Sequence, residues 1–411
     1  VLPALVIFLG TWFFLAGGAV PFLRLDRTGG AVAGAVAMVA FGVLTPEQVV
    51  QEAINWDTIL LLLGMMVLTS VMGRAGIFRW VSFLALRRAH SPQALLAVLV
   101  AVAGVLSALL VNDTVCLLCT PLVLAIVEAA GLPVLPYLLA LAFGSNAGSA
   151  ATLTGNPQNM LIGTLSHISY ARFSGALILP SLAALATVLA VLAIAFRKEL
   201  RRQRPLSIEA APPPLNRSLA LLCGAVLLFA LAGFLTGRSL SWTAMSAAAL
   251  LLAFSRQPPK EILAGVDGTL LLFFAGLFVV THGVAQAGIA ERIHAGLAPF
   301  LGTTVLQQTL RFGAFTVAAC QLVSNVPFVL LAAHWIPKLI EPQHAWLSLA
   351  LVSTLAGNLT PVASVANVIV LELAGDRGRM PFLRFLKLGA LCTFLPLAAA
   401  LACLFAERAF S

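Results

Sequence analysis

Long apolar runs alternate along this chain with short connectors that carry most of its charge. A hydrocarbon core of about 30 Å takes about 20 apolar residues per helix, so such runs read as membrane spans. In the first half the pattern predicts spans at about 3–23, 30–45, 58–73, 93–110, 114–130, 134–165 and 173–196. In the second half it predicts them at about 217–236, 241–254, 269–286, 304–322, 326–340, 345–374 and 385–406. The stretch from Val1 to Leu23 reads as the first span rather than a signal peptide. Between the halves lies a basic, proline-rich linker, 197–216, with Arg197, Lys198, Arg201, Arg202, Arg204 and Pro212-Pro213-Pro214. The expected organisation is therefore a membrane repeat at 1–196, a linker at 197–216 and a second repeat at 217–411.

Four polar islands interrupt this apolar sequence. They are Asn112-Asp113-Thr114; Ser145-Asn146 with Gly148, running on to Gly155-Asn156-Pro157 and Asn159; Ser324-Asn325; and Gly357-Asn358 with Thr360-Pro361, Ser364 and Asn367. Glycine and proline at 155, 157, 357 and 361 break helices. A broken helix leaves backbone groups unpaired, which lipid does not tolerate unless protein or a water-filled cavity satisfies them. Two breaks in matching positions of two halves point to a midplane binding site, where half-helix N-termini face anions and unwound carbonyls hold cations.

The halves do match, at an interval of 212 residues. Gly64 falls on Gly276, Gly76-Ile77 on Gly288-Ile289, Val111-Asn112-Asp113 on Val323-Ser324-Asn325, and Asn146 on Asn358. Such self-similarity marks duplication of a membrane unit. If 93–110 with 114–130 and 304–322 with 326–340 are re-entrant hairpins, 18 of the 24 Lys and Arg fall on one side with the linker. The positive-inside rule makes that side cytoplasmic and the two repeats inverted. The hairpin tips then lie at about 111–114 and 323–327, and the helix breaks at about 144–159 and 357–367.

Composition agrees. The chain is 61% hydrophobic and 9% charged, against about 45–50% and about 25% in soluble domains. The net charge of +9 sits in connectors, so membrane topology explains it and a nucleic-acid partner is excluded. The cysteines lie in apolar stretches; Cys116 and Cys119 follow Asp113, and Cys320 precedes Ser324, by one helical turn. They read as small buried hydrophobes, with soft-ion binding as the alternative. His282 is an apolar-span histidine, either packed or hydrogen-bonded or able to relay protons. Trp56, Trp242 and Trp346 sit near span ends and read as interfacial belt residues. No nucleotide-binding, nucleophile-elbow or zinc-protease motif occurs, so no enzyme, cofactor or metal centre is expected.

Asp113 is the most informative single residue. A carboxylate in an apolar segment must be paired, hydrated or neutralised. It reads either as a coupling-ion group, with a sodium site near it, or as the N-cap of a helix over 114–128.

At these clusters the sequence resembles the ion transporter superfamily, most closely its arsenite efflux pump and sodium/proton antiporter branch. Divalent anion/sodium symporters are more distant. Trp56-Asp57-Thr58 through Gly64 is similar to the start of the third span, and Asn112-Asp113-Thr114 to Thr120-Pro121 to the first hairpin tip. Ser145-Asn146 through Asn159, Ser324-Asn325-Val326-Pro327, and Leu359-Thr360-Pro361 with Ser364 resemble the remaining elements. The symporters' Ser-Asn-Thr tips are replaced by Asn-Asp-Thr and Ser-Asn-Val, which points away from carboxylates.

The resemblance implies an all-α, elevator-type homodimer in a bacterial-type inner membrane, with a scaffold and a mobile transport domain. It implies export of a small inorganic solute, arsenite or antimonite first, driven by a proton or sodium gradient. The alternatives are sodium/proton antiport and sodium-coupled uptake of a carboxylate or sulfate-like anion. The expected solute and ion ligands are Asn112, Asp113, Thr114, Ser145, Asn146, Gly148, Asn156, Asn159, Ser324, Asn325, Asn358, Thr360, Ser364 and Asn367.

Overall fold

The computed structural model describes residues 1–17, 25–201 and 212–410, and the regular elements among them are all helical. The core of the basic linker, 202–211, and the connector 18–24 lie outside the described residues.

The first series of helices is α1 (Leu2–Leu15), α2 (Arg27–Ala40), α3 (Trp56–Ala75), α4 (Ile77–Leu86), α5 (Pro92–Leu109), α6 (Asn112–Ala129), α7 (Val134–Ser149), α8 (Pro157–Ser166) and α9 (Tyr170–Ala195). The second repeats it: α10 (Arg217–Leu235), α11 (Leu240–Phe254), α12 (Gly268–Gln286), α13 (Ile289–Leu301), α14 (Val305–Val323), α15 (Asn325–Ala332), α16 (Pro342–Ala356), α17 (Val365–Ala374) and α18 (Phe382–Phe410). Among the described residues, seven helices are long and apolar enough to cross a membrane: α3, α5, α6, α9, α10, α12 and α18.

Local chemistry sets the repeat. Asn55 caps α3 by accepting from the Thr58 amide, and Asp267, 212 residues on, caps α12 through Leu270. α3 ends at Gly76 with φ of 84°, and α12 is followed by Gly288 with φ of 70°. Both are left-handed, where glycine carries no Cβ penalty.

The two copies run in opposite directions. Near the C-terminal end of α3, Arg74 pairs with Glu261 and Ser70 donates to the carbonyl of Ile262, just ahead of α12. At the other end, Trp56 at the start of α3 shares a cavity with His282 near the end of α12. These ends define two faces of the molecule, called below the Arg74 face and the His282 face.

The repeats also exchange partners. A Cβ on Gly64 of α3 would lie 2.6 Å from the backbone of Ala244 in α11, and one on Gly276 of α12 would lie 2.8 Å from that of Ala31 in α2. Each long helix of one repeat thus packs backbone to backbone on a helix of the other, which only glycine permits.

The predicted hairpins and breaks are present. α5 and α6 are joined by Leu110 and Val111 alone, α14 and α15 by Ser324 alone. The first hairpin is rooted by Gln93, which donates to Leu200, and by the Glu128–Arg377 ion pair. The second is rooted on the His282 face, where His334 at its base lines the cavity with His282. The runs read as single spans, 134–165 and 345–374, are each two half-helices.

Candidate functional site

Residue 112 opens the site. Its amide donates to the Gly155 carbonyl at 2.9 Å, which pins the first hairpin tip to the first helix break. Its side-chain Nδ2 donates to Oδ1 of Asn146 at 3.1 Å. Its own Oδ1 is buried and has no hydrogen-bond partner among the described residues. The polar tip is therefore not a loop: Asn112, Asp113 and Thr114 form the first turn of α6. The N-cap of that helix is Val111, with no side-chain bond, so Asp113 is not the cap that one sequence reading made it. Without that tie its carboxylate is available to the cavity.

The second tip turns on one residue, and Ser324 takes φ of 70° to do it. A non-glycine residue in that region is strained, and such strain clusters at functional sites. Asn325 follows as the first residue of α15, also with an unpartnered buried Oδ1.

The breaks are held by their own side chains. Asn156 caps α8 by accepting from the Asn159 amide at 2.8 Å, with Pro157 at the first helical position, where its missing N–H costs nothing. Asn159 reaches back with Nδ2 to the carbonyls of Ser149 and Thr152, at 3.2 and 3.0 Å. Asn367 does the same to Gly357 and Thr360, at 2.7 and 3.3 Å. Both asparagines hold carbonyls ten and seven residues earlier, so they are counterparts, at an interval of 208 (367 minus 159). Asn146 therefore corresponds to Thr354, not to Asn358 as the ungapped match had it. Cross-bonds agree with this register. Asn156 Nδ2 donates to Thr354 Oγ1 at 3.3 Å, and in the mirrored place Ser364 Oγ donates to Asn146 Oδ1 at 3.1 Å.

Tips and breaks enclose a cavity of about 220 Å³. Its wall includes Asn112, Asp113, Pro157 and Gln158 from the first repeat and Ser324, Asn325 and Ser364 from the second, with Arg27, Thr28, Asp267 and Thr269. The first turns of α2, α6, α8, α12, α15 and α17 all meet there, and with them the positive ends of six helix dipoles. Among the described residues, two carboxylates, Asp113 and Asp267, and one guanidinium, Arg27, stand against that field.

Of the expected ligands, the structure brings Asn112, Asp113, Ser324, Asn325 and Ser364 to the cavity wall. Asn146, Asn156 and Asn358 are buried behind it in the bonds that shape it. Asn159 and Asn367 clamp the breaks, Thr360 bonds Gln321 at 2.9 Å, and Ser145 joins Ser107 to the Asn112 carbonyl. Gly148 is a packing residue, since a Cβ there would lie 2.2 Å from Gly104. Thr114 is half-buried outside the cavity wall. Gly155 and Gly357 lie in the breaks, and Pro361 opens a short turn within the second. Sequence reasoning missed Arg27, Thr28, Gln158, Asp267 and Thr269 as site residues. The 212 interval offered a signal, because it lays Asp267 on Asn55 and Thr269 on Asp57.

A second cavity, of about 690 Å³, lies on the His282 face between Glu52, Asp57, His282, His334 and Trp346. His282 lines this cavity with its Nε2 3.8 Å from a Glu52 carboxylate oxygen. Trp346 is buried there rather than in an interfacial belt, whereas Trp56 and Trp242 are half or more exposed. Cys116, Cys119 and Cys320 are buried free thiols. Among the described residues no cluster of His, Cys, Asp and Glu could hold a metal ion.

Comparison with known proteins adds relatives to this geometry. Residues 6–356 match the citrate transporter family. An uncharacterized transporter of Mycobacterium tuberculosis is 31% identical, the match covering 93% of this chain and 95% of the relative. A putative transporter, arsB, of Dictyostelium discoideum is 26% identical, over 91% of this chain and 86% of its own. The crystal structure of the YdaH transporter of Alcanivorax borkumensis superposes with a TM-score of 0.62 at 18% identity, covering 99% of this chain and 98% of that one. That likeness establishes the fold.

Proposed function

This chain belongs to the citrate transporter family, a branch of the ion transporter superfamily, and from that premise we propose that it exports a small inorganic solute by coupling to a proton or sodium gradient. Membership makes it a multi-pass secondary transporter and not an enzyme. Arsenite or antimonite is the first solute, a reading supported by the Asn112-Asp113 tip and by likeness to the Dictyostelium arsB transporter.

The observation that carries the coupling is that Asp113 and Asp267 line one small cavity. Two carboxylates facing one small cavity against the single guanidinium of Arg27, among the described residues, leave a negative charge that a bound cation or a proton offsets. The unpartnered Oδ1 atoms of Asn112 and Asn325 add neutral oxygen ligands of the kind that hard cations take. A solute bearing hydroxyl groups can donate to these oxygens and accept from the helix N-termini around them.

Translocation is of the elevator type in this reading. The crossed pairs α2–α12 and α3–α11, locked by Gly276 and Gly64, form the frame. The hairpins and half-helices, bonded to one another through Asn112, Asn146, Asn156 and Ser364, move as the carrier body. In this reading the Arg74 face is cytoplasmic in a bacterial-type inner membrane, as the positive-inside rule supports, and the assembly is a homodimer, as the resemblance to elevator-type carriers supports. Flux of arsenite in proteoliposomes under an imposed proton or sodium gradient tests the reading.

One observation favours a second solute. Arg27 offers a guanidinium at the cavity wall, the fork that pairs with carboxylates. Competition of arsenite flux by citrate separates the two: strong competition assigns the site to a carboxylate.

A further inference from the structure

Behind the cavity runs a chain of side-chain amides with a fixed direction. It starts at the backbone carbonyl of Cys392, which can only accept. Asn358 Nδ2 donates to that carbonyl at 3.2 Å, so its Oδ1 faces away, toward Asn146. Asn146 Nδ2 donates to this Oδ1 at 2.8 Å, so its own Oδ1 faces the site. There it accepts twice, from Asn112 Nδ2 and from Ser364 Oγ, each at 3.1 Å. Asn358 and Asn146 are 0% and 2% exposed, so no solvent competes for these bonds.

The direction has a consequence at the cavity. With Nδ2 of Asn112 engaged, the group left over is an oxygen, and that Oδ1 has no partner among the described residues. Ser364 gives its hydroxyl hydrogen to Asn146 and keeps its lone pairs. Flipping Asn146 would set its Nδ2 against the Nδ2 of Asn112 and its Oδ1 against the Oδ1 of Asn358. Flipping Asn358 as well would set its Oδ1 against the Cys392 carbonyl. A buried network of this kind has one satisfied polarity, and every other arrangement strands polar atoms.

We infer that Asn358 and Asn146 are positioning residues that hold Asn112 and Ser364, one group from each repeat, as hydrogen-bond acceptors and thereby set the site's preference for a cation. Neither residue lines the cavity. The inference rests on the carrier reading and adds to it a mechanism by which both repeats present oxygen together.

The test compares Asn358→Asp with Asn358→Leu. An aspartate at 358 loses the bond to Cys392 but still accepts from Asn146, so the polarity survives. A leucine of similar size accepts nothing and frees Asn146 to turn. If Asn358 only packs, the order is the reverse, because a buried apolar side chain is tolerated better than a buried charge.

Two readouts on the full chain are used: half-saturation by sodium or protons in arsenite flux, and the sodium concentration that half-maximally raises the melting temperature in detergent. The inference expects Asn358→Leu to weaken cation binding about tenfold or more, the scale of a lost hydrogen bond to a charged group. Asn358→Asp stays within about threefold of the parent by the same reasoning. Asn358→Ser, too short to reach Asn146, replaces the leucine variant should that fail to fold. Equal effects, or aspartate worse than leucine, overturn the inference. Cation-dependent melting with this order but no arsenite flux overturns the solute and leaves the relay standing. A parent protein whose flux ignores both cations and whose melting ignores sodium overturns relay and coupling together.

Discussion

Ser364, at the start of α17, donates its hydroxyl hydrogen to Asn146, near the end of α7, across 3.1 Å. The mirrored bond joins Asn156, at the start of α8, to Thr354, near the end of α16, at 3.3 Å. The second half of each broken helix is thus tied to the first half of the other. Two helices that could not be stable alone at their breaks complete each other at the centre of the molecule.

The first prediction follows from this mutual support. Asn156→Ala removes the cap of α8 together with the bonds to Ser149 and Thr354. It is expected to cost roughly 1–3 kcal/mol, a lost cap plus a stranded buried partner. Thr354→Val removes two longer bonds, those that its hydroxyl accepts from Asn156 and Gln158 at 3.3 Å each, and should cost about 1 kcal/mol. Melting of the purified variants in detergent gives the order, and equal melting temperatures would contradict it.

Ser324 offers a test that separates function from stability. Its φ of 70° suits glycine, so Ser324→Gly relieves strain of about 1 kcal/mol or more. The melting temperature should rise by roughly 1–3 °C. Solute affinity should fall all the same, because the hydroxyl at the cavity wall is gone. A variant that loses stability would show that the strain is not there.

The crossed helix pairs predict a symmetric pair of effects. Gly64→Ala and Gly276→Ala each force a Cβ to within 3 Å of a partner backbone, and overpacking of this kind costs about 1–3 kcal/mol. Gly224→Ala in α10, where nothing lies within 4 Å, should be neutral or mildly stabilising. Melting curves of the three variants decide; a harmless change at Gly64 would rule out the close crossing.

How far the sequence could be read differs between parts of the molecule. The duplication is visible in Gly64 with Gly276 and Gly76 with Gly288, because close helix crossings and left-handed caps both demand glycine. The register at the breaks is not visible. The second arm of the second hairpin is shorter, α15 with a following turn in place of the long α6, so the interval slips from 212 to 208. The identical letters at Asn146 and Asn358 then align residues that bond to each other rather than correspond. Asn112, Asp113, Ser324 and Asn325 were legible because polarity inside an apolar run is costly. Arg27 and Asp267 were not, because charges at span ends ordinarily report topology and nothing more.

The two carboxylates give the last prediction. Asp113 and Asp267 share the cavity, so replacing either relieves like-charge repulsion and should leave the melting temperature unchanged or higher. Asp113, in the first turn of the hairpin helix α6, should matter more for coupling than Asp267 at the cap of α12. Asp113→Asn should lower gradient-driven flux by about tenfold or more, the scale of a lost charged contact. Asp267→Asn should lower it less.

The most direct test of the account is arsenite flux into or out of proteoliposomes holding the full chain, with a proton or sodium gradient imposed, for the parent and for Asp113→Asn. Arsenite movement should follow one gradient in the parent and lose its dependence on that gradient in the variant, with the fold intact by melting. Flux that runs equally with and without either gradient, or coupling that survives unchanged in Asp113→Asn, would contradict it.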